Sequence, residues 1–381
     1  MTDGAPAVVF SASLAGRPRA GGHAWVVRTW VSAFRRRGCQ VLIVDHGDRA
    51  TAASGWPVVE QVAACAGVDA AMLLDDGDAL GLPRAQVLRR LATADVLVDM
   101  MGFLGDAEPE AVAGSSLPVF LDVDPGIGQQ WAADGLHDPY PFYQRHVTVG
   151  GLVGHPGCAV PTAGLDWIPV LPPVLLDEWS VQSTDGRAVT TVGVWRGPWG
   201  PYEVDGVRHG QRAHEFRRYL DLPRRCPLPL EVALAFDSWD DADRAALQTA
   251  GWRLLDPIEV APTMDMYRNF VQRSAAELCI ARESYVRSQC GWFSDRSATY
   301  LASGRPVVAC DTGFSDLLPT GAGLFAVHGP DDAASALQEI HRDPRRHAHA
   351  ARDIAGAYLE AGVVVGGLLQ RLSAPAPLAT I

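Results

Sequence analysis

The stretch GWFSDRSATYLASGRPVVACD, residues 291–311, joins a polar cluster, a helix of small residues, a glycine and an apolar strand. Ser294 stands where a helix N-cap belongs, directly before the small residues of the helix. The strand is continuously apolar over VVAC, which indicates burial on both faces, as in a parallel sheet. The stretch therefore predicts an α/β fold.

Strands and helices alternate along both halves of the chain. Buried strands are predicted at residues 7–13, 40–47, 95–102, 117–125, 147–154, 188–195, 229–236, 278–282 and 305–311, and helices at 23–38, 82–94, 210–222, 240–251 and 263–277. A proline-rich break over residues 166–187 separates the two runs. We predict two Rossmann-like parallel-sheet domains that face a cleft, with the first domain at 1–175, a linker at 176–187, the second domain at 188–360 and a tail, 361–381, that crosses back to the first domain.

The composition restricts the classes of function. The net charge of −12 disfavours a general nucleic-acid binder, because phosphate neutralisation needs a basic surface. No apolar run is long enough to predict a membrane span, and the N-terminus lacks the pattern of a secretory signal. The seven cysteines form no Cys-x-x-Cys pair, so we predict a reduced, cytoplasmic protein without a cysteine-based zinc site.

Four polar residues begin the helix of the opening stretch: Ser294, Asp295, Arg296 and Ser297. The first turn of a helix has free N–H groups and a partial positive charge, which make it a site for anions and for phosphate above all. Arg296 would add a planar fork that matches a phosphate group. The alternative is that Ser294 only caps the helix, while Asp295 and Arg296 are solvated.

Two loops that follow predicted strands carry further candidates. These are Arg196, Gly197 and Trp199 in the loop of residues 194–206, and Arg282 and Arg287 in the loop of residues 281–291. The glycine would let the backbone approach a ligand, and the indole would stack on a base or a sugar. Because the chain has no lysine, an anion would have to be held by arginines or backbone amides. The alternatives are an aromatic contact between the domains and arginines exposed to solvent.

His23 opens the first predicted helix, after the loop that contains Gly21 and Gly22. An imidazole that faces the cleft is a candidate general base for a hydroxyl group. The imidazole needs a carboxylate to orient it, and Asp122 or Asp124, at the end of another predicted strand, would supply one. The alternative is a helix-start residue with a structural hydrogen bond.

Asp311, Thr312 and Gly313 leave a strand at the same predicted edge of the second sheet. Asp311 and Thr312 would hydrogen-bond to sugar hydroxyls, and the alternative is a plain turn. The chain contains no HExxH, P-loop or GxSxG motif. His347 and His349 are two residues apart and cannot share a helix face, so no metal site is predicted.

The Gly-Gly-His loop, the anion-binding helix and GRPVVACDTGFSDLLPTGAGLFAV, residues 304–327, together resemble glycosyltransferases of the GT-B architecture, over nearly the whole chain. The string Gly-Trp-Phe-Ser-Asp-Arg-Ser resembles a bacterial glycosyltransferase-like subgroup. The resemblance implies that the second domain binds a nucleotide-diphosphate sugar of UDP, dTDP or GDP and that the first binds a small-molecule acceptor. The same resemblance implies that the diphosphate is held by Arg196, Arg282 and the turn of residues 294–297. It implies that the sugar lies against Asp311, Thr312 and Gly313. The acceptor would contact Gly21 and Gly22, and it would be deprotonated by His23 or Asp124.

Many retaining GT-B enzymes carry a pair of glutamates where this chain has Gly291 and Thr299. We therefore predict an inverting, hexosyltransferase-like enzyme of specialised-metabolite or glycoconjugate biosynthesis, without a resident cofactor. Two alternatives stay open: a nucleotide-sugar epimerase of the same architecture, and a catalytically silent partner that activates another transferase. The sequence does not fix the nucleotide base, the sugar, the acceptor or the oligomeric state.

Overall fold

The computed structural model describes residues 5–181, 186–197, 200–204 and 206–374, which form two sheets built mainly from parallel strands. The strands are β1 (Ala7–Ser11), β2 (Gln40–Gly47), β3 (Asp69–Leu74), β4 (Ala79–Leu80), β5 (Val96–Met100), β6 (Pro118–Asp122), β7 (Arg145–Thr148), β8 (Trp167–Pro169), β9 (Val189–Val194), β10 (Tyr202–Val204), β11 (Val207–His209), β12 (Leu230–Ala235), β13 (Arg253–Leu255), β14 (Ala276–Cys279), β15 (Val307–Cys310) and β16 (Leu324–Val327). The helices are α1 (Gly21–Arg36), α2 (Arg49–Ala66), α3 (Arg84–Thr93), α4 (Phe103–Ala107), α5 (Pro109–Ala113), α6 (Ile127–Ala133), α7 (Arg212–Phe216), α8 (Asp241–Ala250), α9 (Pro257–Val260), α10 (Met264–Gln272), α11 (Glu283–Ser288), α12 (Asp295–Ala302), α13 (Pro330–Arg342), α14 (Pro344–Ile354) and α15 (Ala361–Ser373). Short 3-10 helices cover Tyr140–Phe142, Leu176–Glu178, Arg217–Tyr219, Leu222–Arg224, Ser238–Asp240 and Phe314–Asp316, and a π-helical segment covers Ala355–Leu359.

The first sheet has eight strands among the described residues, in the order β4-β3-β2-β1-β5-β6-β7-β8. Every pair is parallel except β3 with β4. The central strand β1 buries Val8 and Phe10 in one hydrophobic cluster and Val9 in another. Because both faces are buried, the strand is apolar at successive positions rather than at alternate ones.

The second sheet has the parallel order β13-β12-β9-β14-β15-β16 within the described residues. Its first strand in the chain, β9, lies at the centre; the next two strands lie on one side and the last three on the other. The order therefore reverses between β9 and β14, and ligands of such sheets bind beyond the carboxyl ends of the strands at this switch point. Residues 195–197 and 280–282 directly follow the two strand ends.

Helix α2 and strand β3 lie in a stretch where the sequence pattern predicted no element. The helix begins where the Asp48 side chain accepts a hydrogen bond from Thr51 N at 2.7 Å, and it ends at Gly67, whose φ is 65°. Pro57 lies inside the helix. Proline removes a backbone donor and weakens the helical signal of a sequence, so packing rather than propensity sustains α2.

Strand β7 is shorter than the predicted strand of residues 147–154, because the chain turns after Thr148 toward the second sheet. Leu152 N donates to Cys290 O at 2.9 Å, and Ala159 N donates to Ser288 O at 2.8 Å. This loop therefore lies against the C-terminal half.

Two segments of the chain cross between the halves side by side. Val174 N donates to Leu359 O at 2.8 Å, and Ala361 N donates to Val174 O at 2.9 Å. Helix α15 then packs against α1, and Arg37 donates to the carbonyl of Gly362. The described part of the C-terminal segment thus contacts the N-terminal half.

The start of α1 contacts the C-terminal half at close range. Gly21 N donates to Ala261 O at 3.2 Å, and a Cβ at Gly21 would overlap the carbonyl of Thr263. A Cβ at Gly22 would lie 2.9 Å from the ring of Tyr267. The missing side chains of Gly21 and Gly22 serve this contact, which corrects the prediction that the two glycines contact the acceptor.

We expect Gly21→Ala to lower the free energy of unfolding by about 1–3 kcal/mol, because the added methyl group forces the backbones of the two halves apart. Chemical denaturation measures the change. Gly367→Ala in α15 is the matched control, since its Cβ would meet no atom within 4 Å and should leave stability unchanged or slightly higher. Equal stabilities of Gly21→Ala and wild type would show that the contact at Gly21 adapts.

Candidate functional site

Arg212, the first residue of α7, lies beside the switch point of the second sheet. Its Nη1 donates to Val194 O at 2.7 Å, and its Nε is buried without a hydrogen-bond partner in the described structure. Burial and the nearby Arg296 lower the pKa of Arg212 to about 10, so the guanidinium stays charged at neutral pH. Arg212 forms no ion pair with a carboxylate of the described residues. The sequence analysis did not select this residue.

Arg296, the predicted phosphate fork, is turned into the protein. Its Nε donates to Glu277 Oε1 at 2.5 Å, Nη1 donates to Val192 O at 2.7 Å, and Nη2 donates to Cys279 Sγ at 3.2 Å. Arg296 is only 8% exposed, and all three of its guanidinium nitrogens have a protein partner. These contacts correct the prediction that Arg296 holds a diphosphate.

Arg196 and Arg287 are also paired with carboxylates. Arg196 lies 2.6 Å from Asp240 through Nε and 3.2 Å from Asp243 through Nη2. Arg287 is exposed and lies 3.2 Å from Glu283, one helical turn before it. Both positive charges are neutralised locally, so the geometry supports neither the predicted diphosphate contact of Arg196 nor the predicted anion contact of Arg287.

The start of α12 presents a cap and a carboxylate. Ser294 Oγ accepts a hydrogen bond from Arg296 N at 3.2 Å. Asp295 is exposed and lies within electrostatic reach of Arg212. Ser297 is fully buried beside Cys279, which removes it from contact with a ligand and corrects its predicted role.

Arg282 and Asp124 form an ion pair between the two halves. Arg282 Nη1 lies 2.8 Å from Asp124 Oδ1, and the hydroxyl of Tyr285 donates to the same oxygen. Burial alone would lower the pKa of Arg282, but Tyr285 and Asp124 raise it above its usual range. Gly197 belongs to this cluster, since a Cβ there would lie 3.0 Å from Arg282 Nη2. Trp199 lies outside the described residues.

His23 lies in the first turn of α1, with Nε2 buried and without a hydrogen-bond partner among the described residues. The ring also bonds to the backbone of Ser13. Burial and the charge of Arg17 lower the pKa of His23 to about 4, so the imidazole is neutral at physiological pH. The backbone of Ser13, rather than the predicted Asp122 or Asp124, therefore orients the ring.

Arg17 is a second residue that the sequence analysis missed. It is exposed in the loop after β1 and lies within electrostatic reach of both His23 and Asp124. The only feature of the sequence that could have identified Arg17 as a site residue is its position in a glycine-containing loop. Its position places a positive charge on the N-terminal side of the space between the halves.

Asp122 anchors the loop after β6 instead of facing His23. Its carboxylate accepts hydrogen bonds from Gln129 Nε2 and Thr148 Oγ1, both at 2.7 Å, and from Asp124 N at 2.9 Å. Asp122 is 2% exposed, and burial raises its pKa to about 6. This arrangement corrects the prediction that Asp122 takes part in catalysis.

The same arrangement recurs at the ends of β2 and β5. Asp45 accepts hydrogen bonds from the backbone N–H groups of Leu14 and Ala15, each at 2.8 Å, and Asp99 accepts one from Gly105 N at 2.8 Å. Burial raises the pKa of each carboxyl to about 6. Buried carboxylates thus hold three loops at the cleft edge of the first sheet.

Asp311, Thr312 and Gly313 form a self-contained turn. Asp311 accepts hydrogen bonds from Gly313 N at 2.9 Å and from Ser315 Oγ at 2.7 Å. Thr312 is fully buried and donates to Trp292 O at 2.5 Å. The plain-turn alternative describes these residues, and the prediction that they face the sugar is corrected.

Two general properties of the described residues bear on function. No group of three or more His, Cys, Asp or Glu among them is arranged to hold a metal ion. None of their helices combines the length and the apolar character that crossing a membrane requires.

No protein-family model matches the sequence, and comparison with curated proteins also finds no match. Among solved structures, HepE from Anabaena in complex with UDP-glucose superposes with a TM-score of 0.59 at 13% identity, over 96% of this chain and 99% of that chain. An alpha-glucosyltransferase in complex with UDP and DNA superposes with a TM-score of 0.61 at 9% identity, over 97% and 100%. AviGT4, a glycosyltransferase involved in avilamycin A biosynthesis, superposes with a TM-score of 0.55 at 13% identity, over 96% and 97%.

The chain has the GT-B fold. Its two sheets, built mainly from parallel strands, the switch point between β9 and β14 and the likeness over almost the full chain confirm the predicted fold class. At these identities the likeness concerns the fold alone, so the chemistry of the site has to be argued from the residues of this chain.

We expect Asp122→Asn to lower the free energy of unfolding by about 1–3 kcal/mol, because an amide turns N–H groups toward hydrogen-bond donors that need an acceptor. Urea denaturation at neutral pH measures the loss. Asp353→Asn removes an exposed carboxylate of α14 and serves as the control. A midpoint equal to that of the control would contradict the role of Asp122 as a loop anchor.

Proposed function

We propose that this protein is a glycosyltransferase that moves a sugar from a nucleotide-diphosphate sugar to an acceptor hydroxyl. The observation that carries the proposal is Arg212, a half-buried cation at the switch point of a GT-B fold that has no ion pair with a described residue. A diphosphate would supply the missing negative charge, and a guanidinium matches its oxygens in a bidentate manner. The complex of HepE with UDP-glucose, which has the same fold, supports a sugar nucleotide as the ligand.

The backbone around Arg212 favours such a ligand. A Cβ at Gly193, near the end of β9, would lie 2.5 Å from Arg212 Nη1 and 3.5 Å from Arg296 Nη1. The glycine therefore leaves room for the Arg212 guanidinium over the strand end, next to the first turn of α12 with its partial positive charge. Asp295 at that turn would repel a phosphate, so we place its carboxylate at a sugar hydroxyl.

His23 would act as the base. Nδ1 is held at the backbone of Ser13, which leaves the lone pair of Nε2 for the acceptor hydroxyl. The hydroxyl proton moves to Nε2, and the oxygen forms a bond to the anomeric carbon. The bond from that carbon to the diphosphate breaks, and its electron pair leaves with the nucleoside diphosphate. A single displacement of this kind inverts the anomeric configuration, in keeping with Gly291 and Thr299 at the positions of the glutamate pair.

A small, neutral acceptor suits the charge of the chain. The alpha-glucosyltransferase of the same fold binds DNA, but a net charge of −12 opposes a phosphate backbone here. AviGT4 is involved in avilamycin A biosynthesis, which supports a role of this protein in specialised metabolism. Glycoconjugate synthesis is the alternative.

We expect Arg212→Ala to weaken the binding of UDP, dTDP or GDP, whichever binds best, by about 10- to 150-fold, because a charge-assisted hydrogen bond contributes about 1.5–3 kcal/mol. Isothermal titration calorimetry measures the dissociation constants. Arg253→Ala is the control, since Arg253 is exposed and paired with Glu231. If none of the three nucleotides binds to the wild type, the donor site is refuted and the silent-partner alternative gains.

We expect His23→Ala to lower kcat by about 10²–10⁴ while the nucleotide dissociation constant stays the same. Because the pKa of His23 is about 4, the base is deprotonated at neutral pH, and the wild-type rate should fall only as the pH approaches 4. His349→Ala, at an exposed histidine, is the control. A wild-type rate that already declines below pH 6.5, the ordinary pKa of histidine, would assign the base to another group.

Epimerisation of the donor sugar in the absence of an acceptor would favour the epimerase alternative.

A further inference from the structure

The carboxylate of Asp124, on the loop after β6, is held by two donors of the C-terminal half. Arg282 Nη1 donates to Asp124 Oδ1 at 2.8 Å, and the hydroxyl of Tyr285 donates to the same oxygen. Arg282 directly precedes α11 and Tyr285 lies within that helix, just beyond the end of β14. A guanidinium and a hydroxyl group that converge on one point bind carboxylate and phosphate oxygens alike, because both anions accept charge-assisted hydrogen bonds.

Arg212 belongs to the same region of the cleft as this pair of donors. Ser284 N donates to Gly210 O at 2.8 Å, and this bond joins the segment before Arg212 to the segment after Arg282. Burial lowers the pKa of Arg212, and the charges of Arg296 and Arg282 lower it further, so the guanidinium of Arg282 lies within electrostatic reach. Two arginines therefore serve one region, and of the two only Arg282 has a carboxylate of the described residues in an ion pair.

The space beside the ion pair is too small for a ligand. The cavity lined by Asp124, Arg282 and Tyr285 has a volume of about 10 Å³, which is room for one water molecule. A phosphate group cannot contact Arg282 there while the carboxylate is in place, and the two anions would repel each other. Arg282 is therefore available to a diphosphate only after Asp124 has left it.

Asp124 has a second cation within reach on its own half of the protein. Arg17 lies within electrostatic reach of the carboxylate and forms no ion pair with another residue of the described chain. The side chain of Asp124 is 22% exposed, so water also reaches it. Release from Arg282 consequently leaves Asp124 neither buried nor far from a positive charge, which keeps the cost of an exchange low.

We propose that Asp124 is an internal competitor of the donor: its carboxylate occupies the position of a phosphate group at Arg282 and Tyr285, and a bound nucleoside diphosphate displaces it. This inference rests on the proposed function, because the displacing ligand is the diphosphate assigned to Arg212. The exchange breaks no covalent bond, since one anion replaces another at the same donors. Arg282 thereby becomes a second diphosphate-binding residue, and the carboxylate lowers the affinity for every ligand that has to displace it.

The test measures nucleotide affinity on the full chain by isothermal titration calorimetry, with whichever of UDP, dTDP and GDP binds best to the wild type. Asp124→Asn removes the charge and keeps the size of the side chain. Asp166→Asn removes an exposed carboxylate of the same half and is the control for net charge. Arg282→Ala, alone and combined with Asp124→Asn, separates competition at Arg282 from repulsion through space.

We expect Asp124→Asn to tighten nucleotide binding by about tenfold, because the nucleotide no longer competes with a carboxylate for Arg282. Asp166→Asn should bind the nucleotide as the wild type does. In the Arg282→Ala background the gain should disappear, because the group for which the two anions compete is missing. The double variant should therefore have the dissociation constant of Arg282→Ala.

Unchanged or weaker binding in Asp124→Asn overturns the inference and leaves the ion pair as a structural contact between the halves. An equal gain in the Arg282→Ala background also overturns it, because Asp124 would then act through its charge alone. If Asp124→Asn does not fold, Asp124→Ser takes its place with the same expected results. If none of the nucleotides binds to the wild type, the proposed function fails instead.

Discussion

The buried guanidinium of Arg296 joins the elements at the centre of the second sheet. From α12 it reaches Val192 of β9 and both Glu277 and Cys279 of β14. A cation removed from water has to be paired, and Glu277, with no exposed surface, provides the pairing charge. The ion pair thereby fixes the two strands of the switch point and the helix beside them. It also shapes the site, because the charge of Arg296 opposes a second cation and lowers the pKa of Arg212.

The cleft contains two arginines that differ in their pairing. The positive charge of Arg212 forms no ion pair with any carboxylate in the part of the chain that the structure describes, which suits an anion. At the boundary between the halves, Asp124 cancels the charge of Arg282. The loop with Arg17 and the start of α1 with His23 approach from the N-terminal half.

The sequence predicted the fold well because burial on both faces leaves continuous apolar strands, such as β1 and β15, that are legible without a structure. The candidate site was predicted less well. Arginines at strand ends were identified from the sequence. The carboxylates that neutralise Arg196 lie 44 and 47 positions away, and no local sequence pattern predicts a pairing over such a distance. Arg212 was missed because it follows no motif. Gly21 and Gly22 were predicted to contact the acceptor, but they contact the C-terminal half instead. A sequence cannot distinguish these cases, because a missing side chain accommodates a neighbouring backbone as readily as a ligand.

The two crossings of the chain have a mechanical consequence. Residues 174 and 359–361 are hydrogen-bonded to each other, so the two segments that link the halves are joined to each other where they cross. The two links cannot move apart from each other without breaking the hydrogen bonds at Val174. A movement that separates the halves would therefore also have to break the Asp124–Arg282 ion pair and the backbone contact of Gly21 with Ala261.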